Sequence, residues 1–195
     1  MFVRCLTNYS SERLDANSQH FLDTNIIIDY IIPSERAKYA CSYELLERVK
    51  KGDFKAWSAD YTLSETLGEL KKRKEEKNGV KDVLRETLST FEIERMTRII
   101  EEFRKTPNLE IFEPKQTSQE KIFDKVKTVC IQATDALVLL SVLDLREKFG
   151  NIILATRDGK LLVRAKRLIQ TAHPVDLIGS CPSNCISKYE CKFHK

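Results

Sequence analysis

Four carboxylates, each in its own short signature, are the residues of this 195-residue chain whose type and setting could do chemistry. They are Asp23 in Phe-Leu-Asp-Thr-Asn, Glu65 in Leu-Ser-Glu-Thr-Leu, Asp135 in Ala-Thr-Asp-Ala-Leu and Asp158 in Ala-Thr-Arg-Asp-Gly. Oxygen donors brought to one sheet edge suit a hard divalent cation, Mg²⁺ or Mn²⁺ rather than zinc. Such carboxylates repel one another, which raises their pKa values until a cation neutralises them. Each also has an ordinary structural role. Asp23 is a good helix N-cap, and Thr62-Leu63-Ser64-Glu65 fits a capping box. Asp135 and Asp158 suit the positive ends of helix dipoles. None of His20, His173 and His194 sits in a general-base signature, and there is no glycine-rich phosphate loop.

The elements that must carry these residues follow from apolar periodicity and chain breakers. Residues 1–19 show no period and read as an irregular leader. A buried strand ends at Asp23, a helix spans Asn25 to Ile32 before Pro33, and Ser34 caps a helix to Lys50. Phe54 to Ser58 forms a second strand. A helix from Thr62, with Leu63, Leu67 and Leu70, turns at Asn78-Gly79 into a second arm. That arm carries Leu84, Leu88, Phe91, Met96, Ile99, Ile100 and Phe103, giving a helical hairpin over about 62–105. Its stripe is read either as packing on its own domain or as a dimer or partner groove. Leu109 to Phe112 is a third strand, a helix capped by Ser118 follows, and Thr134 to Phe149 is a buried helix. Ile152 to Ala155 is the clearest buried strand, Gly159 to Gln170 a helix, and Pro174 to Ile178 a last edge strand. Strands alternating with helices imply a three-layer α/β/α domain with a mainly parallel sheet over residues 20–178. Asp23 and Asp158 then lie beyond strand carboxyl ends, where ligands collect in open α/β sheets.

In order, the four signatures resemble the motifs of the PIN domain ribonuclease family from about His20 to Ile178. The matching stretches are Phe-Leu-Asp-Thr-Asn-Ile at 21–26, Ser-Glu-Thr-Leu at 64–67, Thr-Asp-Ala-Leu-Val-Leu-Leu-Ser at 134–141 and Thr-Arg-Asp at 156–158. The resemblance implies a Mg²⁺- or Mn²⁺-dependent endoribonuclease with Asp23, Glu65, Asp135 and Asp158 as the acidic site. Asn25 and Thr156 would be its polar supports. Relatives in toxin–antitoxin systems and in ribosome maturation imply an antitoxin-like or ribosomal partner. Many members carry a further acidic or amide residue after the fourth aspartate. Here Gly159 and Lys160 follow, which leaves a second ion open. A non-catalytic RNA-binding or assembly protein that keeps the fold is the rival reading.

Net charge +4 and a pI near 8.7 permit a polyanionic partner. Lys71, Lys72, Arg73 and Lys74 follow Glu65, while Lys160, Arg164, Lys166 and Arg167 follow Asp158. They could hold an RNA backbone, although Glu75 and Glu76 also make the first run an ordinary solvated face. At the carboxyl end, Cys181, Cys185, Cys191 and His194 crowd the last fifteen residues, separate from the isolated Cys5, Cys41 and Cys130. The tail, 179–195, reads as a zinc knuckle, a disulfide-paired segment or a flexible end. No apolar run reaches the roughly 20 residues that cross a bilayer, and the start lacks a signal-peptide core, so a cytoplasmic protein without membrane contact is expected.

Overall fold

Two apolar faces organise the sheet. In the computed structural model, which describes residues 19–32, 35–36, 39–77, 90–114, 119–172, 174 and 177, five parallel strands run in the order β3-β2-β1-β4-β5. They are β1 (Gln19–Leu22), β2 (Lys55–Ala59), β3 (Leu109–Phe112), β4 (Ile152–Ala155) and β5 (Thr171–Ala172). Side chains alternate across each strand. Leu22, Ala56, Leu109, Ile153, Ala155 and Ala172 face one core, whereas Phe21, Trp57, Ala59, Phe112, Ile152 and Leu154 face the other. Both faces are covered, as an all-parallel sheet requires.

The first core is closed by α1 (Thr24–Ile31), α2 (Ala40–Lys51), α3 (Asp60–Lys77) and α4 (Thr90–Arg104), through residues such as Ile27, Leu46, Leu63 and Phe103. The second is closed by α5 (Gln119–Val129), α6 (Ala133–Phe149) and α7 (Gly159–Ala165), with Leu139, Val142 and Leu161 at its centre. This is the expected three-layer α/β/α architecture. The α2 helix ends at Gly52, whose φ of +88° is left-handed and donates its N–H back to Arg48 and Val49. Ile100 and Phe103 of the second arm are buried in the first core, so this part of the hairpin packs on its own domain.

Three sequence boundaries are corrected. The helix carrying Glu65 starts at Asp60 rather than Thr62, so Thr62 lies inside the helix and the capping box does not form. Thr62 instead offers its carbonyl to the Thr66 hydroxyl at 2.8 Å. The last strand is Thr171–Ala172, while Pro174 and Leu177 are helical and buried. Proline lacks the N–H a strand ladder needs, which favours this earlier position. The helix after Asp158 stops at Ala165 rather than Gln170, because the chain must turn to bring Thr171 beside Leu154. The 1–18 part of the leader, Ser34, the hairpin turn with Leu84 and Leu88, Ser118 and the whole Cys/His tail lie outside the described residues. Among the described residues no single helix is long and apolar enough to cross a membrane. The consecutive α5 and α6 pass that test only together, with a 103° bend between them.

Candidate functional site

The chain leaves β1 for β2 and β3 on one side, then returns to β4 on the other, so the strand order reverses between β1 and β4. In parallel sheets a crevice opens at that switch, beyond the carboxyl ends. Leu22 pairs with Ala155 in the β1–β4 register, so the next residues, Asp23 and Thr156, emerge side by side.

Asp23 is the N-cap of α1 and is buried. Its Oδ1 accepts the Thr24 backbone N–H at 2.8 Å. Its Oδ2 accepts from the Asn25 amide at 2.6 Å and the Thr156 hydroxyl at 2.5 Å. Thr156 Oγ1 in turn accepts from Asn25 Nδ2 and from the Asp158 backbone N–H, both at 3.0 Å. Asn25 and Thr156 thus both donate to the same oxygen of Asp23. Three donors to one carboxylate would ordinarily depress its pKa. Burial wins here, with the charges of Glu65 and Asp135 adding to it, and Asp23 is pushed up to about 6.

Glu65 points toward the same corner, accepting the Thr24 hydroxyl at 2.5 Å through Oε2. A bond across elements has replaced the local cap that its sequence suggested. Asp135, in the first turn of α6, is half-buried. Its pKa is raised by burial first, then by Asp158, against the Gln132 backbone N–H, with Glu65 raising and Arg164 lowering it further. Asp158 is exposed and caps α7, its Oδ1 accepting from Lys160 N at 2.7 Å and Leu161 N at 3.1 Å. It therefore sits at a helix N-terminus, as its residue type suits, and it caps that helix through Oδ1.

The four carboxylates come from different elements: Glu65 and Asp135 act electrostatically on Asp23, and Glu65 and Asp158 act on Asp135. Their donor chemistry fits a hard divalent cation. Among the described residues, however, no three His, Cys, Asp or Glu side chains stand at the spacing of a closed ligand cage. Magnesium tolerates this, since it commonly keeps several waters and takes one or two carboxylates plus substrate phosphate.

The basic groups are less concentrated. Lys71 and Lys72 are exposed on α3, Lys72 with its Nζ 3.9 Å from Glu69, and the Arg73 and Lys74 side chains lie outside the described residues. Lys160 is exposed beside Asp158, whereas Arg164 directs its guanidinium to the Cys130 carbonyl. Lys166 and Arg167 are exposed just beyond α7. Cys41 is buried, and Cys130 is an exposed free thiol.

Two features of the corner escaped the sequence reading. Asp29 of α1 is fully buried and takes Arg157 Nε at 2.5 Å and Nη2 at 2.9 Å, with the Ser42 hydroxyl at 2.7 Å. Burial pushes Asp29 up to about 6 against the pull of Arg157 and Ser42. The signal was present as a charge inside the apolar run Ile26-Ile27-Ile28-Asp29-Tyr30-Ile31, which on a buried helix demands a partner. Tyr61, at the start of α3, gives its hydroxyl to Ser141 at 3.1 Å. Burial, and to a lesser extent the charges of Asp23 and Glu65, hold it protonated well above the usual tyrosine range. Nothing in the signature of Glu65 pointed to it.

No protein-family model matches the chain, and no curated protein matches it. Among solved structures it is similar to the crystal structure of PAE2754 from Pyrobaculum aerophilum, at 12% identity and a TM-score of 0.48, over 85% of this chain and 95% of that one. A likeness this distant bears on neither mechanism nor substrate.

Proposed function

We propose that the chain is a Mg²⁺- or Mn²⁺-dependent endoribonuclease of the PIN type, hydrolysing RNA phosphodiester bonds at Asp23, Glu65, Asp135 and Asp158. One observation carries the reading: a buried carboxylate of raised pKa at the β1–β4 switch, with Glu65 and Asp135 from separate elements within its electrostatic reach and Asp158 within that of Asp135. Perturbed acids in such a crevice are characteristic of functional sites. Asp23 and Glu65 are the residues that would hold the cation, with Asp135 and Asp158 on its open side. A bound cation would supply a water of lowered pKa and offset charge on the scissile phosphate.

The rest is done by the chain. Asn25 and Thr156 fix the rotamer of Asp23 through three hydrogen bonds within the set, so its orientation does not have to be found during reaction. The Thr24 hydroxyl does the same for Glu65. Lys160, beside Asp158, is the exposed cation best suited to meet a phosphate entering from the rim.

A non-catalytic RNA-binding protein that keeps this fold is favoured by one observation, the use of Asp158 Oδ1 as a helix cap at an exposed position. Labelled RNA and DNA incubated with wild type and Asp23→Asn, with Mn²⁺ or Mg²⁺ and then with chelator, separate the two. Cation-dependent cutting of RNA by wild type alone is expected. Cutting of neither substrate by wild type, or equal cutting by the variant, would sink the nuclease reading. Preferential cutting of DNA would replace the substrate.

A further inference from the structure

Arg157 stands between two residues of the acidic corner but points away from it. Its backbone N–H donates to Asn25 Oδ1 at 3.0 Å, while its side chain forks onto Asp29, five residues further along the same helix than Thr24. The guanidinium carbon lies 3.4 Å from the centre of the Tyr39 ring, and Ser42 takes up the remaining capacity of Asp29 Oδ2. The segment Thr156-Arg157-Asp158 is thereby tied to α1 three times: Thr156 to Asp23, the Arg157 backbone to Asn25, and the Arg157 side chain to Asp29. A planar two-toothed fork constrains direction as well as distance, which a lysine ammonium does not.

We infer that Asp29 and Arg157 are positioning residues, a buried latch between α1 and the β4 exit segment that sets where Asp158 sits relative to Asp23. This rests on the cation-dependent function proposed above. Neither residue needs to touch cation or RNA. The latch holds the two strand-end aspartates in register across the crevice, as outer hydrogen-bond partners hold ligating groups in metal sites. A buried ion pair is in itself weak evidence for stability, since a well-packed apolar pair can serve the core equally well. Its value here lies in geometry.

Arg157→Lys keeps the charge and removes the fork. Amide hydrogen exchange and Mn²⁺ titration calorimetry on wild type, on Arg157→Lys and on Val49→Ala, a destabilised control in the first core near the other end of α2 from Ser42, decide the matter. Arg157→Lys is expected to melt cooperatively, to lose protection at Asp158, Lys160 and Leu161 while Ile153 and Leu154 keep theirs, and to bind Mn²⁺ roughly tenfold more weakly. Val49→Ala should leave Mn²⁺ affinity and the loop-local pattern unchanged. If Arg157→Lys does not fold, the double substitution Asp29→Leu with Arg157→Met removes fork and charge together and is read in the same way. Wild-type protection at Asp158 and Leu161 in whichever variant folds overturns the latch, as does unaltered Mn²⁺ affinity. Wild type that binds no Mn²⁺ overturns the proposed function instead, and the latch is then decided by the exchange pattern alone.

Discussion

Asp23 and Asp158 leave neighbouring strands at the same edge of the sheet, yet they live in opposite surroundings. Asp23 is 7% exposed, takes three donors and is held at a raised pKa by burial and by the charges of Glu65 and Asp135. Asp158 is open to solvent and spends its carboxylate on two helix N–H groups. One end of the crevice is thus preorganised at a cost in stability. The other is cheap, with its charge already serving the fold. A site assembled from such unequal halves suits an ion or phosphate that docks from the open side against a fixed buried oxygen.

The largest expected effect lies on the buried side. Asp23→Asn should lower cation-dependent RNA cleavage by roughly 10²-fold or more, the scale of losing one preorganised group at a centre of developing charge. Labelled-substrate kinetics under saturating Mn²⁺ read it directly. A smaller loss than that of Asp158→Ala would reverse the ranking of the two halves.

The same substitution should stabilise the apo protein near neutral pH. A carboxylate with a folded pKa of about 6, against an unfolded value of 3.8, favours folding fully below 3.8 and loses that contribution as pH rises through 6. At about 1.4 kcal/mol per pH unit this amounts to on the order of 3 kcal/mol in wild type. Denaturant melts at pH 8 and pH 4 should therefore show Asp23→Asn gaining over wild type at the higher pH, with the gain vanishing at the lower. Parallel curves would show that Asp23 is less buried electrostatically than its position indicates.

His20, on β1 beneath this corner, supplies the opposite sign. It is fully buried with its ring edge-on to Phe54, and burial lowers its pKa to about 4. A depressed histidine favours folding above 6.5 and loses that contribution as pH falls through about 4, again on the order of 3 kcal/mol. His20→Leu should keep more of its neutral-pH stability at pH 4 than wild type does. An identical acid profile in the two would remove His20 from the acid response.

The smallest effects belong to the exposed side. Asp158→Ala should cost about 1 kcal/mol as a lost N-cap, while Asp158→Asn, which caps equally well, should leave the melt within about 0.5 kcal/mol of wild type. Any fall in cleavage by Asp158→Asn then reports on charge at the rim rather than on the fold. If both variants melt alike, the cap seen at Lys160 and Leu161 carries no weight in solution.

Much of the framework was legible because local physics decides it. The unbroken apolar run Ile152 to Ala155 admits little besides a buried strand. Asp23 is the N-cap that its residue type foretells, and Asp158 stands at a helix N-terminus, where its charge suits the dipole. Glu65 shows where local reading fails: Thr62 through Glu65 has the letters of a capping box, but helix α3 starts two residues earlier and the glutamate bonds to Thr24, 41 positions away. The last strand was misplaced for a related reason. Two residues, Thr171 and Ala172, suffice at a sheet edge and leave almost no periodic trace.

The alternation of strands and helices, the two-faced parallel sheet and the four acidic positions are all readable in the chain, since each depends on residue type and spacing within one element. Which carboxylate is buried, the joining of α1 to the β4 exit by Asp29 and Arg157, and the place of Tyr61 in the field of Asp23 and Glu65 emerge only once the elements pack together. Those facts depend on desolvation and on pairings across as many as 133 positions. Such terms arise when distant segments exclude water together, and no short stretch of sequence carries them.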